Sequence, residues 1–243
     1  MHSVNTSVSG TLPTTHQSTL AAQFPADSTA TSKRCMNTTI GTSQASTTAN
    51  GVPTFGTVGN YWGARFISDP LDASSTSITA QTWTLNYAGE NNSSNIADVA
   101  PNTTAANNAP MRVTVYVWRP STGAKVGNIL DGSSANVAKF ATTLHQERVV
   151  ATTFSGAAVT GATGDVIICE LWFHIKNSSN TTGWGASFFF DGTTVTTVHA
   201  TAVSDHASFI ETPQALTFSA AAPSSITATP NLVTLTNKFI TKV

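Results

Sequence analysis

The residues of this chain that could carry out chemistry are few and widely separated. Charged residues make up 9% of the 243 residues, whereas a quarter is usual for a globular protein. The nearest approach to a ligand cluster is His199 with Asp205 and His206, which is more typical of a polar surface loop. The six histidines do not show metal-ligand spacing, and the sequence predicts neither a metal site nor a cofactor; they are His2, His16, His145, His174, His199 and His206.

The carboxylates suggest two further possibilities. Glu90, Asp98 and Asp191 lie near predicted loops and could supply oxygen ligands to calcium, although surface carboxylates are the default interpretation. Glu147 and Glu170 could form a glycosidase pair only if both lay in one cleft, and nothing in the sequence selects them. Nucleophile-elbow, phosphate-loop, His-Glu-x-x-His and Cys-x-x-Cys motifs are all missing from the sequence. We therefore expect a protein that is not an enzyme.

Aromatic side chains are the stronger candidates for contact with a partner. Tyr116, Trp118 and Trp172 fall on strand faces opposite the main core, while Trp62 and Trp184 adjoin glycines at strand starts. Exposed aromatics of this kind stack on sugars or anchor protein interfaces. The alternative is that both faces are covered, for instance by the terminal arms. The candidates for an interface or a glycan contact are Tyr116, Trp118, Trp172, His174, Trp62 and Trp184.

Charge, cysteine content and hydropathy restrict the class of protein further. The net charge of −1 offers no extended basic surface for nucleic acid. The first residues lack the basic and apolar segments of a signal peptide, and no run approaches the length of a membrane span. Of the two cysteines, Cys35 lies in a polar segment and Cys169 in a predicted core strand, where we expect a buried free thiol.

The elements that must position these residues are strands. The hydrophobic pattern has a period of two throughout, with Gly, Asn, Pro and Ser between apolar segments. This pattern predicts an all-β fold, a single antiparallel, jelly-roll-like β-sandwich. Residues 89–110 and 120–146 are expected to be long loops, the second with one helical turn near 136–145. The predicted strands are about 61–68, 78–88, 111–119, 147–155, 164–176, 184–191, 207–212 and 215–219.

Alternation within these strands separates the two faces of each. In the 164–176 strand, Ile167, Cys169, Leu171 and Phe173 share one face, and Val166, Ile168, Glu170 and Trp172 share the other. In the 111–119 strand, Val113, Val115 and Val117 lie opposite Thr114, Tyr116 and Trp118. The first set of each strand is expected to face the core.

Composition divides the chain into three parts. Residues 1–54 are rich in Ser, Thr, Ala and Asn and are predicted to form an extended N-terminal arm. Residues 55–220 form the sandwich domain. Residues 221–243 are predicted to be a C-terminal arm or strand, because 225–236 alternate again. That segment could add to the sheet edge of a neighbour, or it could complete its own sandwich.

Three stretches carry a resemblance to a known group of proteins. They are Gly164 to Phe173, Ser187 to Thr194 with its Asp-Gly-Thr, and Arg112 to Pro120. In their short strands and Ser/Thr/Asn-rich turns these stretches resemble β-sandwich proteins of tailed-bacteriophage virions. The resemblance covers about residues 55–220, has no diagnostic motif and does not extend to the arms. It implies a structural role in a virion and carries over no active site.

Together these observations predict a non-enzymatic structural component of a phage virion, at the tail or baseplate or as head decoration. It would be made in the host cytoplasm and assemble as a homo-oligomer through its sandwich and arms. Its partners would be copies of itself and other virion proteins, without nucleic acid or a membrane span. The alternative is a carbohydrate-binding module or receptor-binding adhesin, whose partner would be a glycan of the host surface.

Overall fold

We analysed a computed structural model of the chain. It describes residues 8, 10–19, 22–24, 34–35, 45–51, 58–91, 96–97, 111–133, 148–177, 184–190 and 208–219. Fourteen strands lie in these ranges, with a short 3-10 helix at Ala73–Ser75 that is capped by the Asp72 side chain. No helix among the described residues is long and apolar enough to cross a membrane.

The strands, in chain order, are β1 (Ala22–Phe24), β2 (Arg34–Cys35), β3 (Ala45–Gly51), β4 (Val58–Ile67), β5 (Ser77–Ile78), β6 (Gln81–Asn91), β7 (Ile96–Ala97), β8 (Met111–Arg119), β9 (Ala124–Ser133), β10 (Arg148–Gly156), β11 (Val159–Thr160), β12 (Val166–Asn177), β13 (Trp184–Phe190) and β14 (Phe209–Glu211).

These strands form two main sheets. The seven-stranded sheet has the order β1-β4-β12-β8-β9, with β2 also paired to β4 and β7 to β12. The five-stranded sheet has the order β10-β6-β13-β3, with β14 paired to β6. Strands β5 and β11 form a small two-stranded sheet. Every pairing is antiparallel except those of β1 and β2, which run parallel to β4.

One apolar core lies between the two main sheets. The seven-stranded sheet contributes Val115, Leu171 and Phe173, and the five-stranded sheet contributes Leu85 and Phe188, all fully buried. Burial of each such side chain is worth about 1.5–3 kcal/mol. The all-β sandwich predicted from the period-two pattern is confirmed, and so are the predicted inner faces of β8 and β12.

The strand boundaries were predicted well where apolar residues alternate and poorly where they do not. Strand β8 has the predicted bounds, 111–119. Strand β9 was missed, because residues 120–146 were expected to be a loop. In the described part of this range the chain turns at residues 120–123, where Gly123 has a φ of 64°, and then forms β9 up to Ser133. Gly127 and Gly132 within β9 weaken its strand propensity, which explains the omission.

Residues 1–54, which were predicted to form an extended N-terminal arm, include three strands that belong to the two main sheets. Strand β3 pairs with β13 along its whole length, and β1 and β2 pair with β4. Backbone hydrogen bonds hold these polar segments in the sheets, so a hydrophobic pattern could not reveal them. Residues 221–243 lie outside the described residues, and the C-terminal arm stays a prediction. The predicted strand 215–219 contributes only the bridge of Phe218 to Leu71.

Candidate functional site

The most distinctive site is the outer face of the seven-stranded sheet, which residues 8 and 10–19 cover. We call these residues the strap. Its Val8 and Leu12 belong to one apolar cluster with Trp118 and Ile168, so the sheet is buried on both faces there. A second, smaller apolar cluster results, and its buried members are Val8, Ile67, Tyr116, Trp118, Val166 and Ile168.

A bulge in β4 sets the register that builds the site. Ala64 lies opposite Leu171 and Trp62 opposite Trp172, so Gly63 is the extra residue. A Cβ on Gly63 would lie 2.9 Å from the Leu171 carbonyl oxygen, which favours glycine there. Beyond the bulge, Arg65 lies directly opposite Glu170 on the outer face.

Arg65 and Glu170 form an ion pair whose side chains are 1% and 0% exposed. The Arg65 Nη2 and Nε atoms donate to Glu170 Oε1 at 2.9 and 3.2 Å. The Tyr116 hydroxyl donates to the same oxygen at 2.8 Å. Taking such a pair out of water costs several kcal/mol per ion, so it is tolerated only when further hydrogen bonds satisfy its remaining groups.

The strap supplies those hydrogen bonds from its backbone. Arg65 Nη1 donates to the Pro13 carbonyl at 3.0 Å and Nη2 to the Thr15 carbonyl at 2.7 Å. The Gln17 amide donates to both Glu170 oxygens, at 3.2 and 3.1 Å. The three strap residues that make these bonds are Pro13, Thr15 and Gln17, each two positions from the next.

The same odd-numbered register continues to both ends of the strap. At one end, Trp118 Nε1 donates to the Thr11 carbonyl at 2.7 Å, and the Thr11 amide donates to the Pro120 carbonyl at 2.9 Å. At the other, the Thr19 amide donates to Asp131 Oδ1 at 3.0 Å. The sheet therefore contacts backbone atoms of every second residue of the strap from 11 to 19, although the strap bends at residues 14–15 and 18–19.

The even-numbered residues of the strap contribute side chains. The His16 ring meets the Trp172 ring edge-on, with centroids 4.8 Å apart. Ser18 Oγ donates to Asp131 Oδ1 at 3.1 Å, and Leu12 joins the apolar cluster. These contacts give the site some selectivity for sequence, in addition to its contacts with the strap backbone.

Burial under the strap changes the acid–base properties of the sheet. Desolvation, followed by the nearby Glu170 charge, raises the pKa of Tyr116 far above its ordinary value of 10.0. On the core side, desolvation likewise raises the pKa of the Cys169 thiol far above 9.0. Cys169 is thus the buried, protonated free thiol that the sequence predicted. The site offers no reactive nucleophile in this thiol.

The sequence left open whether Tyr116, Trp118 and Trp172 are exposed or covered by the arms, and in the structure they are covered. They lie opposite the main core, as predicted, but they are 0%, 6% and 0% exposed because the strap covers them. None of the three is available to a glycan or a partner in this conformation. The side chains of His174, Trp62 and Trp184 lie outside the described part of the chain, and their contact roles stay predictions.

The remaining candidates for chemistry are also located or set aside. Glu170 is fully buried in the ion pair, rather than in a cleft. Within the described ranges, no three His, Cys, Asp or Glu side chains gather where they could hold a metal ion. The structure does not describe the side chains of the histidine cluster or of the other carboxylates considered above. These are Glu90, Asp98, Glu147, Asp191, His199, Asp205 and His206.

Sequence reasoning missed Arg65 and the strap residues from Thr11 to Thr19. One signal could have indicated the covered face. Strand β12 is apolar on both faces apart from Glu170, from Val166 to Phe173, and such strands are typically buried on both sides. Nothing local identifies the segment that covers it, since Gln17 and Glu170 are 153 residues apart.

A groove of about 1050 Å³ lies elsewhere, beside residues 209–219. Its lining mixes apolar side chains, such as Phe209 and Phe218, with hydroxyls and the carboxylates of Asp69 and Glu211. It is an opening that a small ligand or sugar could enter.

Comparisons with known proteins identify no family. No protein-family model matches the chain, and no curated protein matches it. Among solved structures, the crystal structure of the infectious bursal disease virus VP2 subviral particle is similar, with a TM-score of 0.21 and 10% sequence identity. This similarity covers 60% of the present chain but only 31% of that chain.

Proposed function

We propose that the protein is a non-enzymatic structural component of a tailed-phage virion, which assembles through its sandwich and its terminal segments. The observation that carries this proposal is the use of the buried polar groups. Arg65 and Glu170 bind the backbone of the chain's own strap, and Tyr116 donates to Glu170 beneath it. Groups placed in this way hold chain segments together.

The composition supports a component of an assembly. A chain with 9% charged residues and a net charge of −1 has little electrostatic protection against association. In a fixed assembly that property is harmless. The resemblance of residues 55–220 to phage virion sandwiches points in the same direction. Tail or baseplate attachment and head decoration both fit this construction.

The mass of the purified chain tests the proposal. We expect analytical ultracentrifugation and native mass spectrometry to detect a discrete homo-oligomer whose population rises with protein concentration. A monodisperse monomer over the whole accessible concentration range would contradict self-assembly. Immunolabelling of phage particles that carry the protein would then distinguish a position at the head from one at the tail.

Glycan binding is the second candidate, and the groove beside residues 209–219 favours it. Carboxylates and hydroxyls next to aromatic rings are the groups that bind sugars. A glycan array on the full chain tests it, with Glu211→Gln and Phe209→Ala as groove variants. Thr153→Ala, at an exposed position of β10, is the matched control. Saturable binding that both groove variants lose would favour this function, and the absence of binding to any glycan would remove it.

A further inference from the structure

The contacts between strap and sheet are of the kind that a receptor makes with the backbone of a bound peptide. From the sheet side, Arg65, Trp118 and Glu170 contact mainly backbone atoms of the strap. Such contacts depend on the path of the strap backbone and do not depend on its covalent connection to the sheet. A strap from another molecule with the same sequence could make every one of them.

We propose that the outer face of the seven-stranded sheet is a binding site for residues 8–19 of a second copy of this chain, taken up in exchange for its own. The inference rests on the proposed function, since it needs an assembly that holds copies together. It names the segment that crosses between subunits and the surface that receives it.

Three features favour a second copy as the occupant. The face cannot stay empty, because exposure of Trp118 and Trp172 and loss of the hydrogen bonds to Arg65 and Glu170 would be costly. Exchange between identical chains conserves every contact, so it has almost no net contact energy. The described strap residues include no Asp, Glu, Lys or Arg, so bringing in the strap of a neighbour meets no charge repulsion.

Concentration decides between the two arrangements. The chain's own strap is tethered, and its effective concentration at the face is about millimolar. In dilute solution the intramolecular arrangement therefore prevails. When other contacts hold subunits side by side, the strap of a neighbour reaches a similar local concentration, and exchange becomes possible.

Disulfide trapping tests the exchange in the full chain. The Cβ of Thr11 lies 3.3 Å from the Cβ position that a side chain at residue 123 would have, close to the spacing found in disulfides. Thr11→Cys and Gly123→Cys are made as separate proteins, each with Cys35→Ser. They are mixed at high concentration and then oxidised. We expect a disulfide-linked dimer in the mixture that neither protein forms alone.

A second pair and a control keep the result interpretable. Ser18→Cys mixed with Asp131→Cys repeats the test at the other end of the strap, where the two side chains are hydrogen-bonded. It also avoids any strain that Gly123→Cys introduces at a positive φ. Thr11→Cys mixed with Thr153→Cys measures random cross-linking, because Thr153 is exposed on the other sheet.

The outcomes separate this inference from the proposed function. Dimers in both strap mixtures, above the control, support exchange. If the chain forms an oligomer but neither mixture gives a linked dimer, while chains carrying both cysteines of a pair close internally, exchange is wrong and the structural function stands. If the chain is monomeric at every concentration and no mixture cross-links, both fail.

Discussion

The two sheets of this sandwich differ in the solvent exposure of their outer faces. The five-stranded sheet presents Thr82, Thr153 and Ser155 to solvent, although Asn86 and Ser187 nearby are buried. The seven-stranded sheet buries Tyr116, Trp172 and the Arg65–Glu170 pair on its outer face. Other buried residues of that face are Thr114, Trp118, Val166 and Ile168. A sheet with one wet face needs only alternation. A sheet covered on both faces needs a partner segment, and its buried polar groups must be satisfied by that segment.

The largest expected difference between the sheets comes from the ion pair. Glu170→Ala leaves the Arg65 guanidinium buried without its carboxylate, so we expect the free energy of unfolding to fall by about 3–5 kcal/mol. Thr153→Ala, on the exposed face of the other sheet, should change it by less than about 0.5 kcal/mol. Urea titration of both variants measures this. Equal small effects would show that the outer face of the seven-stranded sheet is as wet as the other.

Alkaline pH should lower the free energy of unfolding through the ionisation of Cys169 and Tyr116, which both lie in the seven-stranded sheet. Both have a pKa raised by burial above the unfolded values of 9.0 and 10.0, so the folded state holds protons that the unfolded state releases. This stabilisation is complete below pH 9 and is lost as pH rises. We expect a loss of about 2 kcal/mol between pH 8 and pH 10, measured by urea titration at each pH.

Cys169→Ala is the control for this alkaline loss. It removes the thiol whose unfolded form ionises first, so the loss between pH 8 and pH 10 should shrink to about 0.4 kcal/mol, the share of Tyr116. An unchanged pH dependence in that variant would mean that groups other than Cys169 cause the effect.

Two glycines with positive φ, Gly10 in the strap and Gly164 outside it, test whether the strap is held against the sheet. Gly10 has a φ of 109°, and a Cβ there would lie 2.6 Å from the Pro120 carbonyl oxygen. Gly164 has a φ of 88° and open space around it. Gly164→Ala should cost only about 1–2 kcal/mol of backbone strain. Gly10→Ala adds a clash with backbone, which should lift the start of the strap from the sheet.

Hydrogen exchange distinguishes these two variants. The Thr11 amide, bonded to the Pro120 carbonyl, should exchange faster in Gly10→Ala than in the parent chain. In Gly164→Ala its exchange should change no more than that of amides elsewhere in the sheets. Retained protection of Thr11 in Gly10→Ala would mean that the strap is not held against the turn as described.

The smallest expected effect concerns a single hydrogen bond of the strap. Trp118→Phe keeps an aromatic ring in the apolar cluster but removes the N–H that donates to the Thr11 carbonyl. We expect a loss of about 1 kcal/mol in the free energy of unfolding, mostly from the unsatisfied carbonyl. Gain of stability in this variant would indicate that the bond is not formed.

The sequence predicted the inner faces of the main strands but not the polar strand β3 or the cover over the outer face. Alternation gave the inner faces of β8 and β12 correctly, because a period of two places successive side chains on opposite faces whatever they pack against. The sequence pattern did not predict strand β3, because its Ser, Thr, Ala, Asn and Gly residues show no apolar alternation. Backbone pairing with β13 holds this strand in place. The sequence left open whether Trp118 and Trp172 are exposed or covered, because alternation specifies a face and does not specify what covers it.

The sequence by itself determined that the protein is an all-β sandwich, which side chains of its main strands face the core, and that Cys169 is buried. All of these follow from patterns within a single strand. Only the tertiary structure decided that the strap lies over Arg65 and Glu170. These contacts join residues as far as 153 positions apart, through backbone atoms that every residue possesses. Local sequence patterns cannot encode such contacts, because hydrogen bonds to the backbone carry little side-chain information.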